Sequence, residues 1–166
     1  MVAPSQPIIG KTSKDKDVMG ALRQKKTGAK NQNVKLNSAQ IIQSSAKKEM
    51  PDLDINKFMS TLGTMVQRKM VQLLQIGNTV FLLKPKSPTE VEFHTFTVEP
   101  PESLVKRYQA GVNSLKEMGF KKAISYSTSP AFNKIAEQTG LPVKISQSQQ
   151  MIGGKMVPAY KYELDL

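Results

Sequence analysis

Glu92 and His94 are the residues of this chain best placed by type and spacing to move a proton. They sit on a segment, Glu90 to Val98, whose apolar and polar residues alternate, so both fall on one face of the expected strand. A carboxylate or an imidazole in that position can act as general base. The same alternation also describes an ordinary solvated face of a hairpin strand, which is the simpler reading. Tyr126, Tyr160 and Tyr162 carry hydroxyls able to donate a proton, but nothing in the sequence aims them at a substrate. The chain has no His-x-Glu, no His-x-x-x-His and no carboxylate cluster at metal-ligand spacing, so no metal site is expected. It has no Gly-x-Ser-x-Gly nucleophile turn and no Gly-x-x-x-x-Gly-Lys phosphate loop. Catalytic, cofactor-binding and metal-binding residues are therefore all expected to be absent.

Charge points elsewhere. The 166 residues carry a formal net charge of +11, and residues 1–50 hold ten Lys or Arg against Asp15, Asp17 and Glu49. Clustered positive charge suits an acidic protein surface or a polyanion. The first 50 residues contain no aromatic side chain, so base stacking is excluded and any nucleic-acid contact would be non-specific and salt-sensitive. Cysteine is absent, which removes disulfides, thiolate nucleophiles and cysteine-bound metals. No apolar run is long enough to span a membrane, and Lys11, Lys14 and Lys16 precede no apolar stretch of the secretory kind.

The elements that must position these groups follow from periodicity and punctuation. Two short helices, Asp17 to Gln24 and Ser38 to Lys48, are expected within a basic arm, each too short to be stable alone. Met50-Pro51 closes that arm, because the residue before proline avoids the helical region. Asp54 caps a helix whose apolar residues run from Ile55 to Leu74 at spacings of three and four. Gly77 would end it; the alternative stops the helix near Lys69 and makes Met70 to Ile76 a strand. Thr79 to Leu83 reads as a buried strand, Lys84 to Pro88 as a turn and Glu90 to Val98 as its partner. Ser103 to Met118 reads as a helix, Lys122 to Ser127 as a strand, and Pro130 opens another helix. Val143 begins a strand, Gly153-Gly154 turns it, and Val157 to Leu164 is the last strand. The Met59, Met65 and Met70 stripe is read as core.

Gly119 to Leu141 places a helix end, a short strand, a Ser-Pro helix start and a Gly-Leu stop in close succession. With the element order before and after it, this stretch resembles the second half of the GNAT, or N-acetyltransferase, fold. The resemblance covers residues 52–166 and none of the arm. It implies an α+β domain with a mixed sheet of about five strands and three helices, preceded by an extended basic N-terminal arm over 1–51. Family members hold coenzyme A on a glycine-rich loop at a helix start, where backbone N–H groups meet the pyrophosphate. The matching site here reads Val98-Glu99-Pro100-Pro101-Glu102-Ser103-Leu104-Val105, with two prolines and two glutamates. The family's frequent tyrosine acid falls on Ala136, and its helix-starting asparagine on Ser129.

Degenerate domains of this kind are similar to small virion proteins of tailed bacteriophages. That resemblance implies a non-catalytic assembly protein without a cofactor, located in the virion and, during assembly, in the host cytoplasm. Its partners would be neighbouring protein subunits, gripped by Val18, Leu22, Lys25, Lys26, Lys30, Leu36, Ile41 and Ile42 of the arm. The arm would fold as it binds. Two alternatives stand beside this expectation. One is a coenzyme A-dependent N-acyltransferase with an atypical cofactor loop; the other is a basic accessory protein on nucleic-acid backbone.

Overall fold

Asn37 and Gln40 start the first helix with reciprocal bonds: Asn37 Oδ1 accepts from the Gln40 N–H (2.9 Å), and Gln40 Oε1 from the Asn37 N–H (3.0 Å). Two orphan N–H groups of the first turn are thereby satisfied. The computed structural model describes residues 36–166. Among them are α1 (Ser38–Glu49), α2 (Ile55–Gln67), β1 (Gln72–Ile76), β2 (Thr79–Pro85), β3 (Glu90–Thr97), α3 (Pro101–Glu117), β4 (Lys122–Ser127), α4 (Ala131–Gln138), β5 (Lys144–Ile152) and β6 (Lys155–Asp165). The strands form a mixed sheet in the order β1-β2-β3-β4-β6-β5. The α+β class expected from the sequence is what the chain adopts, with six strands and four helices among the described residues in place of about five and three.

The chain divides into two compact units, one reaching to Leu83 and including Thr95–Glu99, the other comprising Lys84–His94 and Pro100–Leu166. In the first, Ile41, Ile42 and Ala46 of α1 pack with Leu62, Val71, Val80 and Phe96, and Phe58 meets the Phe96 ring edge-on at 6.2 Å. Ile41 and Ile42 are 0% and 1% exposed. This corrects the expected boundary: α1 is core, so residues 36–50 are not an extended arm, and the compact unit does not begin at Asp52. Leu36 also packs against that core, its N–H donating to Asn78 Oδ1 (2.9 Å). Val18, Leu22, Lys25, Lys26 and Lys30 lie outside the described residues.

A second correction concerns Met70 to Ile76. The helix from the Asp54 cap ends at Gln67, where Arg68 caps it and Lys69 takes a positive φ of 59°. A left-handed residue cannot continue a right-handed helix. Gln72–Ile76 then pairs antiparallel with Thr79–Leu83 around Gly77-Asn78, so the strand alternative is the observed one. Gln75 fixes this edge: its Nε2 donates to Leu36 O (2.6 Å) and Gly77 O (3.0 Å).

In the second unit, alternation assigns side chains to two faces of the sheet. Val91, Ala123, Ser125, Tyr162 and Leu164 share one face by register; Glu90, Glu92, Lys122, Ile124 and Glu163 share the other. Val91 and Ala123 are fully buried, and Leu104 and Leu115 of α3 are buried as well. The second face is charged. There Lys122 Nζ lies 3.2 Å and Lys161 Nζ 3.6 Å from Glu163 Oε2, and Lys86 Nζ lies 3.4 Å from Glu92 Oε1. The hydrogen bond from Lys122 holds the half-buried Glu163 carboxyl below its ordinary range.

Candidate functional site

Parallel strands β3 and β4 pair at only three positions, Glu90↔Lys122, Val91↔Ala123 and Glu92↔Ile124. Both strands continue beyond that point, to Thr97 and Ser127. Where the next backbone bond of the ladder would form, the Ser125 hydroxyl donates instead to the Phe93 carbonyl at 2.9 Å. A side-chain hydroxyl thus reaches across to the carbonyl just past the last paired position. Phe93 and His94 of β3 and Ser125, Tyr126 and Ser127 of β4 lie beyond the last paired position of the ladder. The Phe93 ring packs against Tyr108 of α3, with centroids 6.4 Å apart.

Tyr162 stands directly opposite Ser125 on β6, so both side chains project from the same face within a few ångströms of one another. Its hydroxyl donates to Asn133 Oδ1 of α4 at 2.6 Å. Burial lifts this hydroxyl above its ordinary value of 10.0, with Tyr160 adding to the shift. Tyr162 is therefore a neutral, oriented hydroxyl at neutral pH. The consequence for stability has a fixed sign: the folded form binds the proton more tightly than the unfolded chain, so the contribution is complete below pH 10.0 and is lost as pH rises through the folded value. Thermal denaturation should show a stability loss above pH 10.0 that is smaller in Tyr162→Phe. An unchanged alkaline slope in that variant would show that another group titrates.

The sequence singled out Glu92 and His94 as base candidates on one face. Glu92 shares a register position with Ile124 on the charged face, opposite to Ser125 and Tyr162, and pairs with Lys86. Alternation puts His94 on that face too. Tyr162 was one of three tyrosines noted without a target; Asn133 and Ser125 were missed altogether. Their bonds join residues 29 and 32 positions apart, a distance at which spacing carries no signal.

The helix that follows β3 shows how a coenzyme A pyrophosphate would fare at its usual place. Pro100 is the cap of α3, Pro101 is its first residue, and no side chain caps it. The Ser103 N–H already donates to the Pro100 carbonyl at 3.0 Å. Glu102 adds a carboxylate to the first turn. A pyrophosphate needs several free N–H groups and no nearby negative charge, so these residues do not fit it. Glu99 is engaged elsewhere: its Oε2 accepts from the Asn78 N–H (2.7 Å) and from Thr79 Oγ1 (3.0 Å). Among the described residues no group of acidic and imidazole side chains could hold a metal.

No protein-family model matches the sequence, and no curated protein matches it. Solved structures do match the fold. A chimera of the Vibrio cholerae spermidine N-acetyltransferase SpeG with hSSAT superposes with a TM-score of 0.59 at 9% identity, covering 79% of this chain and 93% of that one. A protein of Acinetobacter baylyi described as an acetyltransferase gives 0.56 at 11% identity, covering 80% and 90%. YncA of Salmonella typhimurium, described as an acetyltransferase and solved with its cofactor acetyl-CoA, gives 0.52 at 10%, covering 77% and 87%. The GNAT-like fold is thus shown. These neighbours also correct the expectation of a non-catalytic assembly protein: the three structures named are described as acetyltransferases, one with its cofactor acetyl-CoA.

Proposed function

We propose that this chain is an N-acyltransferase, accepting a thioester of the coenzyme A type and passing its acyl group to an amine, with a cofactor loop unlike that of its structural neighbours. The observation that carries the reading is the early end of the β3–β4 ladder, just past which the Ser125 hydroxyl bonds the Phe93 carbonyl. A parallel pair whose ladder ends early is a place where an extended amide-containing arm can lie along the strands, much as a peptide lies along a sheet edge. Acyl transfer makes one C–N bond and breaks one C–S and one N–H bond; the acceptor amine gives up a proton to solvent while the departing thiolate takes one up, leaving amide and thiol. Tyr162 carries a neutral hydroxyl in this unit able to provide it, once its O–H turns from the Asn133 Oδ1 acceptor to the sulfur. The acceptor is an amine, in keeping with the spermidine N-acetyltransferase chimera that shares the fold.

The disagreement at α3 shapes the test. Because Pro100, Pro101 and Glu102 offer the diphosphate nothing, the nucleotide end of the donor should add little to recognition. Acetyl transfer to spermidine and to a lysine peptide, followed by mass spectrometry, should proceed with acetyl-pantetheine and with acetyl-CoA at kcat/KM values within a few-fold. A large preference for acetyl-CoA would place a phosphate site elsewhere on the chain. No product from either donor, over a broad panel of amines, would overturn the reading.

A further inference from the structure

β5 ends the sheet and is nine residues long, running without interruption in register from Lys144↔Glu163 to Ile152↔Lys155. Gly153 and Gly154, both at positive φ (59° and 80°), form the two-residue turn that makes Ile152 and Lys155 the closing hydrogen-bonded pair. From there the antiparallel alternation directs the backbone groups of Ser146, Ser148, Gln150 and Ile152 toward β6. Those of Ile145, Gln147, Gln149 and Met151 point to the outer edge. Pro158 agrees with this phase: it stands opposite Gln149, where its nitrogen faces away from β5, beyond the last β4–β6 pair at Ser127↔Tyr160.

Edge strands are ordinarily protected by lysine, proline, a bulge or shortness. Residues 145–152 have none of these: they are Ile-Ser-Gln-Ser-Gln-Gln-Met-Ile, with neither charge nor proline, in a chain of net charge +11. At the tip Met151, Ile152 and Met156 are 61%, 44% and 54% exposed.

We propose that β5 is a dimer interface that pairs antiparallel with β5 of a second copy, in a register centred on Ser148. Three features select a second copy over another partner. The outward-facing residues 145, 147, 149 and 151 are symmetric about Ser148, so a two-fold axis there aligns every free N–H with a carbonyl of the copy. The register sets Ile145 beside Met151 and Lys144 beside Ile152, so the strand's one cation never faces its equivalent. An acidic partner would be selected by lysines along the edge, whereas an uncharged edge lets two strongly basic copies meet there.

The test uses the full chain in sedimentation equilibrium from low to high micromolar concentration. The wild type should dimerise. Changing Gln147→Lys together with Gln149→Lys sets like charges opposite each other twice across the interface, and the association constant should fall at least tenfold. Changing Gln147→Glu with Gln149→Lys sets opposite charges in those same positions, and dimerisation should persist. Both positions are exposed, so circular dichroism should show native folding in each variant. A wild type that stays monomeric, or a double-lysine variant that dimerises equally well, overturns the interface. A charge-swapped variant as weak as the double-lysine one overturns the register.

Discussion

Alanine at both Ile41 and Ile42 is expected to unfold the unit that contains α1. Each side chain is fully buried among Leu62, Val71, Val80 and Phe96, and large-to-small changes at such sites cost about 2–5 kcal/mol apiece. The two are neighbours, so their effects need not add, yet even a partial sum approaches the roughly 5–15 kcal/mol that stabilises a typical domain. Urea denaturation followed by circular dichroism should find the midpoint strongly lowered or the transition lost. Lys47→Ala with Lys48→Ala, at exposed positions of the same helix, should leave the midpoint nearly unchanged. A chain truncated to begin at Asp52 should fail for the same reason, the reverse of what a separate arm over residues 1–51 implied. An unaltered midpoint in the double isoleucine variant would return α1 to a peripheral arm.

That reversal shows where the sequence was readable. β2, β3 and β4 could be placed because prolines and glycines bracket them: Pro85 at the end of β2 and Pro88 after it, Pro100-Pro101 after β3, Gly119 before β4. β1 was hidden because Met70, Leu73 and Leu74 continue the helical spacing of the residues before them, and a short apolar strand is indistinguishable from a buried helix by period alone. The residue that breaks the helix is Lys69 at positive φ, a type that announces no break. α1 was misassigned on its low apolar content, although Asn37-x-x-Gln40 carried the spacing of a capping box. Its worth comes from Val71, Val80 and Phe96, tens of residues away in sequence. The site was less legible still. The missing phosphate cradle could be read from Pro100-Pro101, but the end of the β3–β4 ladder is marked by the partner the Phe93 carbonyl chooses, and no local pattern encodes that choice.

Tyr162→Phe should lower kcat for acyl transfer by about a hundredfold, the low end of what a positioned proton donor contributes. The variant keeps the ring and its packing and removes only the hydroxyl that donates to Asn133, so the stability loss should be near 1 kcal/mol. KM for the thioester should change little, since the hydroxyl acts on the departing sulfur and not on the bound arm. Asn133→Ala provides the comparison: it keeps the hydroxyl and removes the acceptor that holds its proton, so kcat should stay well above that of Tyr162→Phe. The pH profile separates chemistry from support. In the wild type, burial keeps the hydroxyl protonated through neutral pH, so kcat should decline only as pH rises through the lifted value, above 10.0. In Tyr162→Phe that alkaline limb should vanish together with most of the rate. Were the variant to retain full kcat, or to lose rate while keeping the limb, the proton would have to come from another group, and Tyr126 and Tyr160 would be the next hydroxyls to remove.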